Sequence, residues 1–312
     1  IFMGTPDFAV ESLKSLYING FKIVGVITAP DKPAGRGKKI RESAVKEYAA
    51  KHNMKILQPT NLKNESFQSE LKELNADLQV VVAFRMLPES VWSMPLHGTI
   101  NLHASLLPQY RGAAPINHVI MNGEKKTGIT TFFIEKEIDT GKIIFQKEIP
   151  VLPDEDAGEL HDKLMFEGGK LIVKTVDAII NDEYKAISQS ELSKGLKEIK
   201  SANKIFKEDC QINWNQNTET VYNFIRGLSP YPGAWMRIIN KSGNSKTLKI
   251  YKTEKELCEH TIAPGNFLTD NKTNIRIAAA DGFLIIKELQ AEGKKRMKTK
   301  DLLNGFNMKE YE

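Results

Sequence analysis

Asn101 and His103 stand two residues apart in the run Thr99-Ile100-Asn101-Leu102-His103, and in an extended strand that spacing aims both side chains at one face. A carboxamide and an imidazole side by side can donate to an oxygen that gains negative charge, and can move a proton. A third group, Asp139, comes later in the tight-turn sequence Ile138-Asp139-Thr140-Gly141. Together an amide donor, an imidazole and a carboxylate meet the needs of acyl transfer to an amine: a seat for the oxyanion and a route for the proton of the attacking nitrogen. Taken singly, each has a plain structural reading. A strand-end His is often a satisfied polar residue, and Asp with Gly is ordinary turn punctuation. Three neighbours weigh toward chemistry: Asn101 on the same face, the turn Ser105-Leu106-Leu107-Pro108 that ends the strand, and a small-residue loop at 109–115 whose one charge is Arg111. A buried strand face seldom holds both Asn and His without a use for them.

These groups need a scaffold that brings distant turns together. Over the first 180 residues, β-branched runs at 22–28 and 79–83 alternate with amphipathic segments at about 8–17, 43–51 and 158–180. Pro6 stands at the start of the first amphipathic segment and Gly20 past its end. Such alternation predicts a doubly wound α/β fold with a mostly parallel sheet, in which sites lie off the carboxyl ends of the strands, where Asn101 and His103 fall. Residues 185–204 are rich in Ser and Lys, sparse in apolar side chains, and read as a linker. Beyond them a helix at 218–228 is followed by short apolar runs at 234–239, 247–252, 274–279 and 283–289, separated by turn residues, with Asp281-Gly282 as a hairpin signal. That spacing predicts a small β-barrel. The expected division is therefore 1–184, a linker over 185–204, and 205–312.

With 312 residues, 41% hydrophobic and 27% charged, the chain has material for two ordinary cores and none of the marks of disorder. No apolar run approaches the roughly 18 residues that span a bilayer. The first residues read as a strand entering a turn rather than a signal peptide. The chain opens on Ile1, so its natural start is expected to lie elsewhere. Cys210 and Cys258 match no metal spacing and are expected as free thiols in a reducing cytoplasm. Of the net +5, residues 205–312 carry most, with 17 Lys and Arg against 13 Asp and Glu, a bias that permits an anionic partner. Residues 29–41 hold Lys32, Arg36, Lys38, Lys39 and Arg41 against Asp31, with two glycines and two prolines: a cationic loop at the same sheet end as the proposed site. A second basic cluster runs from Lys294, Lys295 and Arg296 to Lys298 and Lys300. Neither an HExxH, a Cys/His cluster nor a G-x-G-x-x-G follows the first strand, so no metal or nicotinamide is expected.

Asn101-x-His103 with Ser105-Leu106-Leu107-Pro108 and Asp139 resembles the signature of the 10-formyltetrahydrofolate-dependent formyltransferases. The segments 29–39 and 110–116, the opening Phe2-Met3-Gly4-Thr5-Pro6 and the tail from Gly293-Lys294-Lys295 to Asp301-Leu302-Leu303-Asn304-Gly305 resemble the members of that family that act on charged initiator tRNA. The likeness runs almost end to end. It implies a Rossmann-like catalytic domain followed by an OB-like barrel, acting as a cytoplasmic monomer, with 10-formyltetrahydrofolate as formyl donor, initiator methionyl-tRNA as acceptor and no metal.

The resemblance also implies roles. Asn101 would donate to the formyl oxygen, His103 would add a second donor or protonate the leaving nitrogen, and Asp139 would orient His103 and help carry the amine proton. Phe84, Arg85, Met86 and Leu87 would line the folate pocket, largely through backbone groups, with Ser105, Leu106, Leu107 and Pro108 beside them and the segment 135–139 as a second wall. Met86 and Leu87 read equally as core. Lys32, Arg36, Lys38, Lys39 and Arg41 would contact the acceptor end of the tRNA, Arg36 and Lys38 foremost, and Lys294, Lys295 and Arg296 would hold it from the second domain. Two rival readings share parts of this pattern: a formyltransferase for a small amine such as a sugar nucleotide, which needs neither the basic loop nor a barrel, and an RNA-binding protein whose catalytic domain is inactive.

Overall fold

The computed structural model describes residues 1–34 and 39–311, which gather into two compact units. The first holds Ile1–Gly112, Lys126–Pro150 and His161–Ser201; the second holds Ala113–Lys125, Val151–Leu160 and Ala202–Glu312. Among the described residues no helix is long and apolar enough to cross a membrane.

The first unit is built on seven strands: β1 (Phe2–Gly4), β2 (Val26–Ile27), β3 (Ile56–Leu57), β4 (Gln79–Val82), β5 (Thr99–His103), β6 (Lys126–Phe133) and β7 (Ile143–Pro150). Their order is β7-β6-β5-β4-β1-β2-β3. The five from β5 to β3 are parallel, while β6 runs antiparallel to β5 and β7 antiparallel to β6. The helices are α1 (Asp7–Ile18), α2 (Ala44–Lys51), α3 (Glu65–Glu73) and α4 (Ala157–Ile180). Local chemistry starts two of them. Ser43 Oγ accepts the Lys46 N–H at 3.0 Å, and Asn64 Oδ1 accepts that of Ser66 at 2.9 Å, each satisfying a first-turn donor. Met3, Ile27 and Val81 from the sheet meet Phe67 and Leu71 of α3 in one core, each fully buried side chain of this kind contributing roughly 1.5–3 kcal/mol. On β5 Leu102 packs on α4 at Gly168, where a Cβ would come within 2.7 Å of its Cδ2.

The run at 22–28 forms strand only at Val26–Ile27, whose register partners are Phe2 and Met3 on one side and Ile56 and Leu57 on the other. Register then aligns the carboxyl ends: Gly4 pairs with Val82, and Val82 with Leu102. The loops after β1, β4 and β5 therefore leave from one edge. The chain reverses its lateral progress between β1 and β4, the place where open α/β sheets bind ligands.

The second unit centres on α5 (Thr218–Gly227) and an antiparallel sheet of β8 (Ala234–Ile239), β9 (Ser245–Leu257), β10 (Phe267–Thr269), β11 (Ile275–Ala278) and β12 (Gly282–Ala291), ordered β8-β9-β12-β11-β10, with Met297–Lys298 added on β12. Register shifts near Lys252 mark bulges in the long strand β9, which let it bend so that the sheet curls into a half-barrel. Val221 and Ile225 of α5 pack with Leu248, Ile250, Leu284 and Ile286 inside the curl. At the β11–β12 connection Gly282 is required by space, since a Cβ would lie 2.3 Å from the Glu256 carbonyl oxygen. Its neighbour Asp281 accepts both the backbone N–H and the hydroxyl of Thr218, at 2.7 and 2.6 Å, and so caps α5. Cys210 and Cys258 are both free thiols.

Candidate active site

His103 is the last residue of β5, with its side chain 7% exposed, and Asn101 is half-buried two residues before it. The chain then folds back over the imidazole. Ser105 Oγ donates to the Gln109 carbonyl at 2.6 Å, and Thr130 of β6, opposite His103 in register, bonds the Ser105 carbonyl at 2.6 Å and accepts the Leu107 N–H at 3.2 Å. This brings the Tyr110 carbonyl within 2.8 Å of His103 Nε2. A carbonyl only accepts, so Nε2 carries the proton and Nδ1 is the ring nitrogen left to exchange one.

Asp139 reaches that nitrogen. Its Oδ2 lies 3.8 Å from His103 Nδ1, within ion-pair range and too far for a hydrogen bond. The same oxygen accepts the Gly112 backbone N–H at 3.0 Å. Asp139 adopts a left-handed φ of +55°, and the turn is tight: a Cβ on Gly141 would sit 1.7 Å from the Phe133 carbonyl oxygen. The Asn101 carboxamide makes no hydrogen bond among the described residues, so its N–H donors are available to a bound oxygen. The structure thus brings Asp139, delivered from the β6–β7 connection, up to His103, while Asn101 stands two residues earlier on β5.

The loop after β4 has a different character. Ala83 takes a left-handed φ of +48°, and Phe84 to Leu87 make no backbone hydrogen bond among the described residues. Arg85 turns away, its guanidinium donating to the carbonyls of Pro59 and Thr60 and lying over the Phe84 ring. Met86 is 74% exposed, whereas Leu87 is buried in the core with Met3 and Phe67. Of the turn residues assigned to the donor, Ser105 and Leu107 are buried and committed to the turn itself, Leu107 packing with Phe132 and Ile143. Leu106 and Pro108 belong to the same turn, Leu106 lying against Gly128 of β6.

Around the cationic loop, Lys32–Ala34 pairs antiparallel with Lys39–Arg41, and Lys32 and Arg41 are exposed. Arg36, Lys38 and the Lys39 side chain lie outside the described residues. The loop's one acid is neutralised: the Lys46 ammonium and then Gln58, at 2.8 Å, bond Asp31 and hold its carboxyl below the usual carboxylate range. In the second unit Lys294 and Lys295 are exposed, while Arg296 is paired with Glu288 at 2.6 Å and lies over the Tyr251 ring.

Groups to which the sequence analysis gave no role in the site complete it. The backbone of Tyr110 and Gly112 has no side-chain signal at all. Gln189 lies in the stretch expected as a linker, yet it is 2% exposed and begins the helical turn Gln189–Leu192. Its Oε1 accepts Nε and Nη2 of Arg111 at 3.0 and 2.6 Å, and its Nε2 donates to the carbonyls of Asp139 and Gly141 at 2.8 and 2.9 Å. Only its non-apolar identity in a Ser/Lys-rich segment was visible beforehand.

Compared with known proteins, residues 1–176 match the formyl transferase family, and residues 204–307 match the formyl transferase C-terminal domain. The methionyl-tRNA formyltransferase of Bacteroides fragilis is 55% identical over 310 residues, covering 99% of this chain and 95% of that protein. That of Flavobacterium johnsoniae is 52% identical over 306 residues, covering 98% and 95%. Among solved structures, the N-formyltransferase of Helicobacter canadensis in complex with folinic acid and dTDP-3-aminofucose superposes with a TM-score of 0.64 at 24% identity, covering 95% of this chain and 98% of that one. HypX of Aquifex aeolicus in complex with tetrahydrofolic acid gives 0.61 at 18% identity, covering 99% and 47%. At these identities the structural likeness concerns the fold.

Proposed function

Because the chain belongs to the formyltransferase family over both of its domains, we propose that it transfers a formyl group from 10-formyltetrahydrofolate to the α-amine of initiator methionyl-tRNA. The observation that carries the reading is the convergence of Asn101, His103 and Asp139 at the carboxyl edge of the sheet, with Nδ1 and Oδ2 3.8 Å apart. The relatives that match nearly the whole chain are methionyl-tRNA formyltransferases, which favours the charged tRNA over a sugar amine as acceptor.

In this reading a folate carries the formyl group on N10. The amine forms the new C–N bond at the formyl carbon, and the bond to N10 breaks. The Asn101 carboxamide donates to the formyl oxygen as it gains charge, where a fixed donor is worth most. His103 Nδ1, on the substrate side because Nε2 is held by Tyr110, takes up the amine's proton by way of Asp139 and passes it to N10 as that group leaves. Asp139 faces that nitrogen and accepts the proton lost by the amine, directly or through water. The unpaired backbone of Phe84 to Leu87, beside the β1–β4 reversal, offers the donors and acceptors that a pterin ring needs. Exposed Met86 bounds the pocket, with Phe84, Arg85 and Leu87 shaping its wall. Lys32, Arg36, Lys38, Lys39 and Arg41 meet the acceptor end of the tRNA, and Lys294 and Lys295, with Arg296 less freely, hold it from 205–312. The protein works as a cytoplasmic monomer, with 1–184 carrying the chemistry.

The test is direct: incubation with 10-formyltetrahydrofolate and charged initiator tRNA yields formylmethionyl-tRNA. Transfer to a sugar amine but not to the charged tRNA overturns the acceptor, and no transfer to either overturns the reaction.

A further inference from the structure

The geometry points to Gln189 as a positioning residue that locks the two loops of the catalytic trio to each other. This rests on the reading of Asn101, His103 and Asp139 as a formyl-transfer site. The loop carrying Tyr110 and Gly112 fixes His103 from one side and Asp139 from the other, through the Tyr110 carbonyl and the Gly112 N–H. The loop carrying Asp139 and Gly141 must stay in register with it, and the seven-stranded sheet does not pair the two loops: the strand Arg111–Gly112 pairs with Ser201–Ala202 instead. One buried carboxamide spans the two. Gln189 accepts from Arg111, which stands between Tyr110 and Gly112, and donates to the carbonyls on both sides of Thr140. All four hydrogen-bonding valences of its carboxamide are directed at these two loops.

Gln189 is itself held. Ile187 exchanges both backbone hydrogen bonds with Ile143, each at 2.8 Å, so the segment is zipped to the start of β7 two residues after Gly141. The Ser193 hydroxyl bonds the Gln189 carbonyl at 2.7 Å and closes the turn. The segment 187–193 therefore acts as a strap whose single inward polar side chain sets the distance between His103 and Asp139. Gln189 needs no contact with substrate; it works through Asp139.

A double-mutant cycle in the full-length chain tests this. Gln189→Met keeps length and loses every bond. Gln189→Glu keeps the acceptor for Arg111 and loses the donors to the two carbonyls. Displacing a catalytic group by about 1 Å costs on the order of 100-fold, so kcat is expected to fall roughly 10–100-fold in Gln189→Met with KM for folate and for charged tRNA within about twofold. In an Asp139→Ala background, where the positioned group is already gone, the same change is expected to lower kcat by less than about threefold. Equal losses in both backgrounds, or a loss carried by KM alone, overturn the strap. If Gln189→Met does not fold, as judged by its thermal unfolding, Gln189→Glu is run through the same cycle under the same criteria. A wild-type chain without formyl transfer overturns the reading of the site; a wild-type chain with it and an additive cycle overturns the strap alone.

Discussion

Gly112 holds Asp139 by its backbone: the Gly112 N–H donates to Asp139 Oδ2 at 3.0 Å, and that same oxygen faces His103 Nδ1 at 3.8 Å. A main-chain donor fixes the carboxylate without adding a charge of its own. It leaves Oδ1 with no hydrogen-bond partner among the described residues, and so available to a substrate or water.

Asp139→Asn separates charge from shape. The substituted amide oxygen can still accept from Gly112, so the turn and both substrate affinities are expected to persist. Turnover is expected to fall by about 10²–10⁴-fold, the usual contribution of a positioned acid or base. Single-turnover formylation beside tRNA and folate binding checks it, and a loss below about tenfold would remove Asp139 from proton transfer.

Asn101→Ala removes a donor rather than a proton carrier. Loss of one oxyanion donor lowers turnover by roughly 10²–10³-fold, with tRNA binding nearly unchanged. The pH dependence of the remaining activity should keep its shape, because no titrating group has gone.

The cationic loop predicts a salt effect. Asp31 is consumed by Lys46 and Gln58, so it does not offset the neighbouring cations. Each phosphate contact contributes up to about one unit to the slope of log K against log salt. Replacing Lys32, Arg36, Lys38, Lys39 and Arg41 together should flatten that slope for tRNA and leave folate affinity alone. An unchanged slope would take the loop out of the binding surface.

The second unit should be acid-sensitive. The Thr218 hydroxyl, and then its backbone N–H, holds the Asp281 carboxyl below its ordinary 3.8. Asp270 is depressed in the same sense, first by the Thr273 hydroxyl and then by the N–H groups of Thr273, Lys272 and Asn274. A depressed carboxyl contributes stability that is fully present above its unfolded value and is lost as pH falls through its folded one. Denaturant midpoints should therefore drop below about pH 4. Asp281→Asn, which keeps an acceptor for Thr218 without the charge, should lie below wild type at pH 6 and converge with it in acid. A gap that widens in acid would contradict the sign.

Strand alternation alone puts Asn101 and His103 on one face, and the buried apolar runs foretell a parallel sheet. What stayed hidden depends on partners. Residues 22–25 have strand composition, yet the register pairs only Val26 and Ile27. Ser105 and Leu107 carry the family signature, and the Thr130 hydroxyl that holds their backbone in the turn is distant in sequence. Gln189 looked solvated because its neighbours are Ser and Lys. Its burial comes from the Ile187–Ile143 bridge, which no local pattern announces. The capping of α5 by Asp281 joins residues 63 apart, beyond the reach of any capping motif read along the chain.

The interleaving of the two units has a consequence for anyone who would trade acceptors between relatives. The second unit takes in Ala113–Lys125 and Val151–Leu160 as well as everything from Ala202 onward. A graft made at one junction near residue 204 would transplant the barrel while leaving two segments of its unit behind in the donor. An exchange of the whole second unit therefore carries three pieces, which are discontinuous in the gene.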